Sequence, residues 1–123
     1  MHQQSSMAIP VLHHLSSPDL ERGALPANPG SCAIAINAEI GLATGGADNF
    51  SFTVVTPDQT LTHDGYRWGR GYLIVHEFSW AEIERALAKL LLHADRESWR
   101  ETAAVLAQNL HWEYDGYPEY VRR

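Results

Sequence analysis

The sequence predicts an α+β fold: a mostly antiparallel sheet of about four strands, with two C-terminal amphipathic helices packed on one face. Three observations carry this. Apolar residues alternate with period two over residues 31–40 and again over residues 50–56. They then recur at helical spacing in two later segments, each opened by a Ser-x-x-Glu signature. Finally, strands come first and helices second, which is the element order of α+β chains.

Ala8 to Leu15 is a short apolar stretch broken by Pro10, so it reads as an edge strand. Ser17-Pro18-Asp19, followed by Pro26, Asn28, Pro29 and Gly30, marks a loop. From Ser31 to Ile40 the alternation is clean. Cys32, Ile34, Ile36, Ala38 and Ile40 fall on one face, and Ser31, Ala33, Ala35, Asn37 and Glu39 on the other. Gly41 to Asn49 has the composition of a hairpin loop, rich in glycine with Asp48 and Asn49. Phe50 to Thr56 alternates again with Phe50, Phe52 and Val54 inward, and Pro57-Asp58 stops it. Residues 57–70 read as a polar loop. Tyr72 to Phe78 is apolar on both faces at first, as a central strand covered by helices would be.

Ser79 with Glu82 has the spacing of a capping box. Trp80, Ile83, Leu87, Leu90 and Leu91 follow as one stripe, with Glu82, Glu84, Arg85 and Lys89 on other faces. Ser98 with Glu101 repeats the signature ahead of Trp99, Ala103, Leu106 and Leu110. The end of the chain, Trp112 to Tyr120, mixes aromatic with acidic residues.

A chain of 123 residues is the size of one domain and is long enough to bury a core without metal or disulfide staples. We read residues 1–123 as a single domain, with residues 1–6 a flexible extension and Met7 an alternative start. The apolar runs are far below the ~20 residues of a membrane-spanning helix, and no signal peptide is visible. Nine Lys and Arg against 15 Asp and Glu leave a net charge of -6. That argues against direct nucleic-acid binding, which wants a basic face; on charge alone it is read first as keeping the protein in solution, and it is also compatible with a basic protein partner. The single cysteine, Cys32, excludes an intramolecular disulfide and fits a cytoplasmic setting. It reads as a small buried hydrophobe.

Candidate chemistry is sparse. His13 and His14 are adjacent, so a strand points them to opposite faces. His63-Asp64 and His76-Glu77 have no second cluster at ligand spacing, and HExxH, CxxC and GxSxG are absent, so neither a metal nor a cofactor is expected. Gly41 to Gly46 lacks the Lys-Ser/Thr that follows a phosphate-binding loop. Arg67, Trp68 and Arg70 form a small basic–aromatic patch that could stack a base. Tyr and Trp bring large contact area with few rotors to freeze, so the segment from Trp112 to Tyr120 has the composition of a protein–protein contact. Trp112 itself suits closure of the core.

Taken in order, these pieces resemble the immunity protein family numbered eight of bacterial polymorphic toxin systems. The resemblance runs from about Leu15 to Tyr117. It rests on Leu15-Ser16-Ser17-Pro18-Asp19, on Ile36, Ala38, Glu39, Ile40 and Gly41, on Phe50 to Val54 with Thr56-Pro57, on Gly71 to Val75 leading to Phe78-Ser79-Trp80, on Ser98-Trp99 and Leu106, and on Trp112-Glu113-Tyr114 with Asp115 and Tyr117. Two departures stand out: the stretch Ala43 to Asp48 is loop, where length varies freely, and Gly116 sits where a bulkier polar residue is expected.

The resemblance implies an antidote that performs no chemistry. Such a protein binds a cognate toxin domain in the cytoplasm and plugs its active site or holds it at an exosite. Many such toxins are nucleases with basic surfaces, which an acidic inhibitor can match. The expected partner contacts are Glu113, Asp115, Tyr117 and Glu119, with Asn37 and Glu39 on the exposed face of the second strand. Two other classes compete. One is a small hydrolase using His63-Asp64 or His76-Glu77, and the other is an adaptor that homodimerises through an open strand edge.

Overall fold

The computed structural model describes residues 8–56 and 66–116. They form strands β1 (Val11–Ser16), β2 (Ala33–Gly41), β3 (Ala47–Val55), β4 (Tyr66–Gly69) and β5 (Tyr72–Val75), helices α1 (Trp80–Leu92) and α2 (Trp99–Leu106), and a last short strand β6 (His111–Trp112). The sheet order is β1-β2-β3-β5-β4, with β6 also on β3. The α+β expectation therefore holds, with six strands among the described residues in place of about four. All pairings between these strands are antiparallel except β3–β5.

The second strand follows its alternation. Ile36, Ala38 and Ile40 are wholly buried and Ile34 nearly so, while Ala33 and Glu39 are exposed. On β3, Phe50, Phe52 and Val54 turn inward, opposite Ala38, Ile36 and Ile34. The β2–β3 ladder begins at Gly41↔Ala47, so the hairpin loop is shorter than the glycine pattern suggests, and Asp48 and Asn49 belong to the strand. The reason is the alternation itself: Asp48 continues the inward positions and Asn49 the outward ones.

One strand lies where loop was expected. Tyr66 to Gly69 pairs with β5 through the two-residue turn Arg70-Gly71, where Gly71 takes a φ of 82° that other residues rarely adopt. This strand splits the basic–aromatic patch. Trp68 faces the core edge-on to Phe52 at 5.1 Å, and Arg67 points the other way. The strand at Tyr72 ends at Val75 and is covered on one face alone: Leu73 and Val75 are buried, Tyr72 is exposed. His76 and Glu77 lie beyond it, in a bend.

Both helices start where their serines place them. Ser79 Oγ accepts from the Glu82 N–H at 3.2 Å, and Ser98 Oγ from the Glu101 N–H at 3.1 Å. Trp80, Ile83, Ala86, Leu87 and Leu91 of α1 join Trp99, Ala103 and Leu106 of α2 and the inward sheet residues in one apolar cluster. Each fully buried Leu, Ile or Phe in it contributes about 1.5–3 kcal/mol of transfer energy. Leu110 is also buried, but in the turn after α2, which ends at Leu106.

Side chains finish what the backbone leaves open. Beyond β1, Ser17 Oγ donates to the Ala35 carbonyl at 2.6 Å and Asp19 Oδ2 accepts from the Ala35 N–H at 3.0 Å. These two groups thus replace the next rung of the edge strand. The loop beyond them is pinned to α1. Trp80 Nε1 donates to the Ala24 carbonyl at 2.8 Å, and Arg22 lies over the Trp80 ring while pairing with Glu84. Cys32 is half-buried, its N–H held by Thr56 Oγ1 at 2.7 Å.

The most consequential polar group is Asp48, 4% exposed on the inner face of β3. Its Oδ2 accepts from Trp99 Nε1 at 2.8 Å and from Trp112 Nε1 at 3.1 Å. Phe50, two residues on, stacks on the Trp112 ring and meets Trp99 edge-on. Trp112 does close the core, as its sequence position suggests.

Replacing Asp48 with Ala removes the acceptor shared by two buried indoles. It is expected to cost roughly 2–5 kcal/mol, with Asp48→Asn milder because it keeps an oxygen; denaturant unfolding of the three proteins measures this. Ser98→Ala is expected to cost about 1 kcal/mol and Ser98→Asp to restore it, read by thermal unfolding.

Candidate functional site

One sheet face is filled by the helices, and the other carries no buried side chain among the described residues. The strand registers divide this open face into rows that run across the strands. The first row is His14, Glu39, Asn49 and Glu113; the second is Ser16, Asn37, Ser51 and His111. The third is Ala35, Thr53, Tyr72 and Gly69, and the fourth is Ala33, Val55, Ile74 and Arg67. Four rows at about 7 Å and four strands at about 4.8 Å make a surface roughly 15 by 20 Å.

The rows bring together sequence positions that are far apart. Glu39 and Glu113 stand on either side of Asn49, two strand spacings or roughly 10 Å apart. Asn37 lies in the adjoining row, half-buried. Glu113 has a structural task as well. Its N–H donates to the Asn49 carbonyl at 3.1 Å, and its Oε2 accepts from the Asn49 N–H at 2.6 Å. The side chain thus takes the place of a strand carbonyl and ends β6. Because Asn49 turns its backbone groups toward Glu113, its pairing with Glu39 is of the non-hydrogen-bonded kind, which brings side chains closer.

Asp115 follows in a turn closed by its N–H on the Trp112 carbonyl at 3.0 Å, and Gly116 takes a φ of 88°. A bulkier residue would be strained there, so the glycine that departs from the family pattern is what this turn requires. Asp115 is exposed. Tyr117 and Glu119 lie outside the described residues. Of the six expected contacts, three therefore share the open face and a fourth adjoins it. Sequence reasoning missed Asn49, His14 and His111 as their neighbours. Asn49 reads as loop in the sequence, the register that sets His14 beside Glu39 follows a bulge between Leu12 and His14, and His111 enters through the two-residue strand β6. That bulge frees His13 to bond the Leu42 carbonyl at 2.7 Å.

The competing acid–base reading has less to stand on. His76 and Glu77 are exposed on an open groove of about 540 Å³ shared with Leu25, Phe78, Ser79 and Trp80. Its one hydroxyl, on Ser79, is engaged as the α1 cap, and no hydrogen bond joins it to His76 among the described residues. His63 and Asp64 lie outside the described residues. Among the described residues no group of three or more His, Cys, Asp or Glu could hold a metal ion. Among them, too, no helix is long and apolar enough to cross a membrane.

Comparison with curated proteins and with solved structures found no match. A family model does match, the one described as Immunity protein 8, over residues 11–117. That span runs from the first residue of β1 to beyond the turn that carries Asp115, and so takes in every described element. The chain belongs to the Immunity protein 8 family.

Proposed function

We propose that this protein is a cytoplasmic antidote that binds a cognate toxin domain and neutralises it by occupation of its surface. The whole chain acts as one binding domain and catalyses nothing. The observation that carries this reading is the family match over residues 11–117. The geometry supplies a surface for it. Asn37, Glu39 and Glu113 meet on a sheet face that nothing covers among the described residues, with Asp115 beside them. Tyr117 and Glu119 continue the same acidic–aromatic run.

A rigid sheet suits this task. Its side chains are held at fixed spacing by the ladder, so little conformational entropy is lost when a partner is bound. The acidic row and a net charge of -6 favour a basic toxin surface, as on a nuclease. Complementary charge of this kind speeds encounter and weakens with salt.

The test is co-expression with the toxin domain encoded beside this chain, followed by purification through a tag on the antidote. Survival with a co-purified toxin supports the reading; toxicity unrelieved by a folded antidote overturns it. In the complex, Asp115→Lys is expected to weaken binding about tenfold or more while leaving the thermal midpoint unchanged. Affinity is expected to fall steeply between low and physiological salt, as calorimetry at several ionic strengths will show.

A further inference from the structure

The acidic row is one border of the open face; the third and fourth rows have a different chemistry. In the third row Tyr72 stands between Thr53 and Gly69, with Ala35 beyond Thr53. Small neighbours leave its ring uncrowded: a Cβ built on Gly69 would already lie in van der Waals contact with the Tyr72 Cβ, at 3.8 Å, and the glycine leaves that space open. Tyr72 is 51% exposed, on a strand whose next residue, Leu73, is wholly buried. Ile74 and Val55 are paired in the fourth row, on the same face and half-buried. The exposed ring and its two half-buried aliphatic neighbours form an apolar area on an open sheet face, a surface that a partner can cover.

We propose that Tyr72 is the apolar anchor of the toxin-docking surface. It enters an apolar recess on the toxin while Glu39, Glu113 and Asp115 meet basic side chains at one border of that recess. This inference rests on the toxin-binding reading and adds to it the centre of the contact and its orientation. Composition and charge both support it. Protein interfaces place a desolvated aromatic near the centre and charged pairs toward the rim. Here the two lie on one rigid lattice, the third row about 13 Å along the strands from the first. Behind Tyr72, at the opposite border, stands Arg67 in the fourth row. Among the described residues the face therefore runs from the acidic row, across the polar row of Asn37 and Ser51, to Tyr72 and then to a row that joins Val55 and Ile74 with Arg67. A basic partner fits in one direction, because the reversed pose would set its cations against Arg67.

The experiment uses the full-length antidote and the toxin domain encoded beside it, with affinity measured by calorimetry on the wild type first. Tyr72→Ala is expected to raise Kd about tenfold or more, and Tyr72→Phe to stay within about threefold, because the ring carries the contact. Leu92→Ala, an exposed apolar residue at the far end of α1 (70% exposed), is expected to leave Kd unchanged and serves as the control for apolar surface in general. Thermal midpoints of all three variants confirm that folding is intact. A wild-type complex whose Kd ignores Tyr72→Ala overturns the anchor while leaving toxin binding in place. So does equal weakening by Leu92→Ala. Failure of the wild type to bind overturns the toxin-binding reading, and the anchor with it.

Discussion

One buried carboxylate organises this molecule. Asp48 lies on the inner face of β3 and accepts from the indoles of Trp99 and Trp112. Those three residues belong to a central strand, the second helix and the last strand. A carboxylate in an apolar core is tolerable only with donors fixed around it, so helix and last strand must dock in register for the sheet to keep Asp48 inside. The rings around it are equally constrained: Phe50 stacks on one indole and meets the other edge-on. Strand geometry carries this constraint through to the outer face. If Asp48 points in, Asn49 points out, and the seating of Trp112 inside delivers Glu113 to the Asn49 backbone outside. The acidic row is thus built by the core.

The sequence disclosed what periodicity can encode. The inward residues of β2 and β3, the serine caps of both helices and the α+β layering all rest on patterns several residues long, and each is found in the structure. What escaped was short or non-local. Tyr66 to Gly69 is too brief to establish a period, and β6 has two residues; each is a strand only because a partner strand is present. Asp48 reads as turn chemistry because it follows the glycine pair Gly45-Gly46 and precedes Asn49, and its tryptophan donors lie 51 and 64 residues away. The expected partner residues rest on an acidic and aromatic composition. Their adjacency was not legible, since Glu39 and Glu113 come together through a register that no local pattern records.

The division of labour between the two faces bears on how such a protein can change. Inner positions are coupled through shared packing, so substitutions there propagate. Outer positions sit on a ladder whose hydrogen bonds are made by the backbone, and their side chains can be exchanged with little effect on the fold. Glu113 is the exception, since its carboxylate both ends a strand and stands in the acidic row. Members of such a family can redraw this face row by row, provided that residue is respected.

The late arrival of β6 has a temporal meaning. Asn49 leaves the ribosome long before Glu113, and Asp48 long before Trp112, so the nascent chain carries a carboxylate short of its indole donors and an incomplete outer row until its last described segment emerges. Contacts between residues so far apart close late, because they require the longest loops to be ordered. The core around Asp48 and the acidic row on the outer face are therefore completed in the same step. A truncated or stalled chain lacks both.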